Sequence, residues 1–416
     1  MNRNPTHKKI MKLIQYTAVA ALLTGVANAQ GLFNIAREQG QYNKYKASGQ
    51  GLYSTESNQA EEESIPIRYN VKTAFGYDDN VNPTSRGSAG VGSTYLDAKV
   101  GASLAVRGVQ TSWDLSATFG TTIYEDSAVP NDVVYNSRIA ANINHRINDR
   151  VRVISKNFFN YGLDLADFYG EINSRQVEEY TYFSTDNSVG YRWTDRIGTY
   201  TGVSFSVVNY DGSVRDINSY AIYNQFRYMY SFQTTLTAST NYTKIDFDTS
   251  SNDRVTTSVG LEHRVTDTST VVAKVGAQFG ERNNAYVNLN YANKINKQFK
   301  TNVFVRYQQE DTDAVFSGER YEDQMTLRIG ATASYVVSPK VTLTVGGNYS
   351  TSDYKDAPTN DDGGLDRFNI FAGANYMLND ALSLRASVNH STSKATVIPN
   401  RDYDRNRYEF GVNYTF

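Results

Sequence analysis

The 416-residue sequence contains no cysteine. That excludes disulfide frameworks, thiol nucleophiles, cysteine-held metals and an acylated N-terminal cysteine. Proline is scarce, at 7 residues. Beyond the N-terminal leader, no apolar run approaches the roughly 18 residues that a membrane-crossing helix needs. Mean hydropathy is polar, at −0.52, and no segment shows a persuasive helical period of 3.6. Lys and Arg total 41 against 43 Asp and Glu, so no basic surplus points to nucleic acid. Glycine-rich phosphate loops are absent, and no cofactor is expected.

Tyrosine is abundant, with 32 residues. The N terminus reads as an export signal: Lys8, Lys9 and Lys12 form a positive region, and Leu13 to Val26 a short apolar one. Ala27-Asn28-Ala29 then makes an A-x-A cleavage site. The expected organisation is a signal peptide over 1–29, a polar N-terminal segment over 30–64 and a β-barrel over 65–416. The middle segment ends in Glu61-Glu62-Glu63 and reads as a periplasmic tether. Its Leu32, Phe33 and Ile35 leave open a plug or a contact with a periplasmic partner. It is too short for the plug domain of an energy-coupled transporter.

Alternation begins at Ile67. Ile67, Tyr69, Val71, Thr73, Phe75 and Tyr77 fall on one face of an extended chain, and Arg68, Asn70, Lys72, Ala74 and Gly76 on the other. Leu96, Ala98, Val100, Ala102, Leu104 and Val106 repeat the pattern, as do Trp113, Leu115, Ala117 and Phe119. Followed to the end, it predicts an all-β, antiparallel up-and-down transmembrane barrel of about 18 strands, within a range of roughly 16–20. Turns expected at Arg107-Gly108, Asn148-Asp149, Thr194-Asp195, Ser231-Phe232, Thr266-Asp267, Asn296-Lys297, Ser338-Pro339 and Asn379-Asp380 alternate with longer links, including Asp248 to Arg254. Among the links on the long side, only Glu281 to Asn284 is as short as a turn. Long links on one side and short ones on the other are the extracellular/periplasmic asymmetry of outer-membrane barrels. A soluble barrel this wide could not fill its interior with side chains, so the apolar face must meet lipid.

The last strand places Tyr408, Phe410, Val412, Tyr414 and Phe416 on one face and ends on an aromatic. Such an end resembles the signal read by the barrel-assembly machinery, the expected partner alongside outer-membrane lipid. Together with Tyr77-Asp78-Asp79-Asn80-Val81 after the opening strand, and the strand count, it resembles the type-2 β-barrel porin family over roughly Ile65 to Phe416. Some members accompany exopolysaccharide secretion. The resemblance implies an outer-membrane pore or export role, with periplasmic polysaccharide-export components as further partners.

No catalytic constellation is legible. His145, His263 and His390 fall in the outward register near strand ends, where no shielded nucleophile can meet them. Asp78-Asp79, Asp311 with Asp313, and Asp361-Asp362 with Asp366 are acidic, yet none has the spacing of a calcium loop. The informative charges face inward. Lys72, Lys99, Arg138, Lys156, Arg227, Lys274, Arg306, Arg328 and Arg385 occupy the polar register at mid-strand. Asp97, Asp114, Asp186, Glu322 and Glu409 are fewer in the same register. Charges at the bilayer midplane cost about 2–4 kcal/mol each, so they must line water. They read either as wall-stiffening ion pairs or as an anion-preferring lumen. The competing function is a non-conducting structural or adhesive barrel whose loops bind a surface partner.

Overall fold

The computed structural model describes residues 67–416 apart from 82–89, 109, 127–128, 130–131, 163–178, 211–215, 248–250, 267, 281–282, 297, 311–314, 317–318, 321–322, 356–362 and 397–401. The proposed signal peptide, with Ala27 and Ala29, and the segment 30–64 lie outside the described residues.

The first strands are β1 (Ile67–Asp78), β2 (Ser93–Arg107), β3 (Thr111–Tyr124), β4 (Val133–Arg146), β5 (Val151–Gly162) and β6 (Tyr180–Arg192). There follow β7 (Ile197–Tyr210), β8 (Ile217–Met229), β9 (Thr234–Phe247), β10 (Ser251–Thr266), β11 (Ser269–Phe279), β12 (Asn284–Lys294) and β13 (Phe299–Glu310). A loop carries the two-residue strands β14 (Val315–Phe316) and β15 (Glu319–Arg320), which pair only with each other. The wall ends with β16 (Asp323–Ser338), β17 (Val341–Lys355), β18 (Gly363–Met377), β19 (Leu382–Ala395) and β20 (Tyr403–Thr415). All strands except β14 and β15 form one 18-stranded sheet. Each strand pairs antiparallel with its sequence neighbours, and β20 returns to pair with β1 from Asn70↔Thr415 to Asp78↔Arg407. The closed antiparallel barrel expected from the alternation is therefore the fold.

Side chains sort by parity. Phe75, Val100, Phe119, Ile222, Val259, Val275, Val345 and Ile370 point outward and are exposed. Aromatics gather toward both ends of this face, with Trp113, Trp193 and Tyr230 at one end and Tyr77, Tyr135 and Tyr220 at the other. Aliphatic residues between two aromatic girdles are the profile of a barrel in lipid.

Short turns cap their own backbone. The side chains of Asn148, Asn296 and Asn379 each accept two backbone N–H bonds, from residues two and three positions on, at 2.8–2.9 Å. Ser338 and Thr194 do the same with hydroxyls. Amide and hydroxyl acceptors at the first turn position satisfy donors that the ladder has released. At the opposite end, strands run further into the links than expected. Asp248 to Arg254 was read as a long loop, but β9 runs to Phe247 and β10 begins at Ser251. Ser251↔Asp246 through Arg254↔Thr243 extend the ladder, so polar residues continue the hairpin where composition suggested a loop.

Candidate functional site

The candidate site is the inner wall. Register alone puts Lys72, Lys99, Arg138, Lys156, Arg227, Lys274, Arg306, Arg328 and Arg385 on one face. Lys72 lies opposite Lys99, Lys156 opposite Asp186, and Arg306 opposite Arg328. Arg227 is a correction: it sits two residues from the end of β8, close to the short-turn rim rather than at mid-strand. Arg68 keeps the polar face expected of it, and further inward bases are Arg192, Arg254, Arg264, Lys294, Lys300, Arg367, Arg405 and Arg407. They were missed because they lie near strand ends, where sequence alternation loses its phase.

Inward acids also exceed the expected set. Asp97, Asp114, Asp186 and Glu409 hold their places, while Glu322 falls outside the described residues. Asp78 and Glu262 join them. Glu262 is 4% exposed and meets Arg227, 1% exposed, through two parallel bonds of 2.8 Å. Asp78 binds Arg405 at 2.6 Å, Asp97 binds Lys99 at 2.8 Å and Glu409 binds Arg385 at 3.2 Å. Among the expected lumen bases, Lys99, Arg227 and Arg385 thus stiffen the wall through ion pairs. Bases still outnumber acids on this face.

Long inward side chains lie flat along the wall. A Cβ on Gly190 would come within 2.6 Å of the Tyr200 ring, and one on Gly330 within 2.5 Å of the Phe304 ring. Gly260 stands in the same relation to the Lys274 stem, at 2.5 Å. Glycine on one strand makes the hollow into which the neighbour's side chain folds, which explains why Tyr200 and Lys274 are buried. Arg138 lies over the Phe158 ring at 5.0 Å, and Arg306 over Phe304 at 5.3 Å.

The three histidines are outward, as their register requires. His145 contacts Thr111 at 2.7 Å, His263 Thr234 at 2.9 Å and His390 Asn406 at 2.8 Å. Each partner belongs to an adjacent strand, so these rings brace the sheet. Of the acidic clusters, Asp78 is taken up by Arg405, and Asp366 accepts a bond from the Tyr349 hydroxyl at 3.0 Å. Asp311, Asp313, Asp361 and Asp362 lie outside the described residues.

The terminal aromatics share the outer face. Tyr408, Phe410, Tyr414 and Phe416 are exposed and Val412 is half-buried. Phe416 and Tyr69 exchange two backbone bonds of 2.9 Å, and their rings stack at 5.7 Å. The chain end therefore fastens the β1/β20 seam.

Several solved barrels resemble this one. OpdK of Pseudomonas aeruginosa aligns with TM-score 0.46 and 11% identity over 84% of this chain and 99% of its own. The ferric enterobactin receptor PfeA of the same organism gives 0.46 and 8%, over 86% and 81%. The siderophore receptor PirA of Acinetobacter baumannii gives 0.43 and 8%, over 86% and 81%. No curated protein matches the sequence. The family model for the outer membrane protein beta-barrel domain matches residues 293–416, from the end of β12 to the last residue. That match lies within a closed sheet that is apolar outside and polar inside, so the fold is a β-barrel of the membrane-spanning kind whose last third resembles the outer membrane protein beta-barrel domain.

Proposed function

We propose that this barrel is a porin-like channel that passes small solutes with a preference for anions. The observation that carries the reading is the surplus of Lys and Arg in the inward register of a chain whose overall charge is −2. Fixed positive charge facing water raises the local concentration of anions and opposes cations. Folding long side chains into glycine hollows supports the same reading, because it keeps them out of the middle of the barrel. The family resemblance adds assistance to exopolysaccharide export as the finer role, and an acidic polymer would suit the same wall.

The test is the reversal potential of the purified protein in planar bilayers under a KCl gradient. Chloride preference is expected, fading as salt rises because the Debye length falls from about 10 Å at 0.1 M to about 3 Å at 1 M. Replacing Arg138, Arg306 and Arg328 together by Glu should invert the preference. Arg227 is left intact, since an acid there would face buried Glu262. Cation preference in the native protein would refute the basic lumen, and no conductance would favour the structural or adhesive barrel.

A further inference from the structure

The outward side chains of a membrane barrel meet lipid, and along most of this wall they are apolar at mid-strand, as with Val100, Phe119, Val275, Val303, Val345 and Val388. One arc departs from this. On β5 and β6 the outward residues at the strand centres are Ser155, Asn157, Thr185 and Asn187, paired as Asn157↔Thr185 and Ser155↔Asn187. Thr201 of β7 lies opposite Asn224 at the middle of β8, and Asn224 opposite Thr240 of β9. Aromatic residues of the same outward register bracket them, Phe183 and Tyr191 on β6, Tyr220 and Tyr228 on β8. Polar groups between aromatic girdles stand at the depth of the hydrocarbon, not of the headgroups.

Their side chains bond along the outer surface. Thr185 donates to Asn157 Oδ1 at 2.8 Å and accepts from Asn187 at 2.8 Å, and Asn157 donates to Ser155 at 3.0 Å. Asn224 donates to Thr201 at 2.7 Å. A carboxamide carries two N–H donors and an acceptor oxygen. Among the described residues, the second N–H of Asn157, Asn187 and Asn224 and the oxygens of Asn187 and Asn224 therefore keep bonding capacity to spare. Thr201, Asn224 and Thr240 are exposed. Lipid tails offer no hydrogen bonds, so such groups are costly on an isolated barrel and gain from a protein partner. No charged residue shares the outward register of β5 to β8, which leaves hydrogen bonds and packing as the means of contact.

Two copies inserted the same way up carry this patch at the same depth. A different protein would need a polar belt of its own at that level. A two-fold axis along the membrane normal beside β7 sets Thr185 and Asn187 of one copy against Asn224 of the other, while exposed Val203 meets its own counterpart. At strand spacings of about 4.8 Å the strip from β5 to β9 is about 19 Å wide, and the apolar wall is about 25 Å tall. Two such strips bury about 950 Å² in flat projection, and the relief of their side chains takes the accessible area past the roughly 1,000 Å² that a specific interface needs.

We propose that the outer face of β5 to β9 is the interface between two copies of this chain in the membrane, joined by hydrogen bonds among Asn187, Asn224 and their hydroxyl neighbours. Pairing through this strip does not depend on what the lumen conducts.

The chain has no cysteine, so single cysteines report contact directly. In cell membranes a short bis-maleimide should join V203C into a product of twice the chain mass. I370C, on β18 across the 18-stranded wall, should stay monomeric. The native protein in mild detergent should be dimeric by light scattering. N187L/N224L, which exchanges carboxamides for apolar surface, should be monomeric and keep the heat-modifiable gel mobility of a folded barrel. Equal joining at positions Val203 and Ile370 would reduce the contact to crowding and overturn the interface. A V203C product of another mass would assign the strip to a different protein and overturn the second-copy occupant. Absence of any V203C product, or a dimeric N187L/N224L, overturns it as well. Should N187L/N224L fail to fold, the comparison of V203C with I370C decides alone.

Discussion

At the scale of residues, the inner wall shows how far a side chain's role can be separated from its visible register. Arg227 was legible as inward from alternation alone. Its partner Glu262 is two strands away, and only the registers of β8 on β9 and β9 on β10 bring the carboxylate within 2.8 Å. Glu262→Ala strands a buried guanidinium, and an uncompensated buried charge costs about 3–5 kcal/mol. The expected result is a lower urea midpoint in detergent or lipid, with much of the loss recovered in R227M/E262A. No recovery in the double variant would show that the pair's contribution is packing rather than charge. Gly330 yields a second prediction. Gly330→Ala must lift the Phe304 ring, and Arg306 with it, toward the pore axis. Overpacking of this kind costs about 1–3 kcal/mol, and unitary conductance should fall as the ring enters the water path. Unchanged conductance and midpoint would mean that the ring finds room along the wall.

At the scale of elements, the seam between β1 and β20 bears on assembly. It joins the ends of the chain, so its contacts form only when the barrel closes. Near the long-loop rim, Arg405 grips Asp78, Asp79 accepts two 2.6 Å bonds from Asn406, and the Asn80 side chain donates to the Asp404 carbonyl at 3.0 Å. At the other rim, Phe416 stacks on Tyr69. Deleting Phe416 removes the lower fastening and the proposed assembly signal. Membrane insertion should slow and periplasmic aggregate accumulate, while the folded barrel loses less than the roughly 1.5–3 kcal/mol of a fully buried aromatic, since Phe416 is exposed on the outer face. Pulse-chase monitoring of heat-modifiable gel mobility separates the two effects. Normal insertion kinetics would remove the signal role. The aromatic end was legible from the sequence, but the polar fastening was not. Asp78-Asp79-Asn80 reads as an acidic loop start until closure brings residues 404–406 beside it.

At the scale of the whole molecule, strand number, parity and the alternation of short and long links were legible because each depends on residues close in sequence. The Asp78–Arg405 ion pair was not, because it forms only when the first and last strands meet. The same contrast of links predicts orientation. A cysteine at Ser338, beside a short turn, should react with an impermeant thiol reagent only after the outer membrane is breached, and one at Ser174 on intact cells. The reverse labelling would turn the barrel over. Orientation gives meaning to the unequal links. Those after β7, β9 and β11 span only 211–216, 248–250 and 280–283, against 79–92, 163–179 and 311–322 elsewhere. The chain therefore allots few residues beyond the sheet along the arc from β7 to β12, so a solute approaching on that side has the least polypeptide to pass.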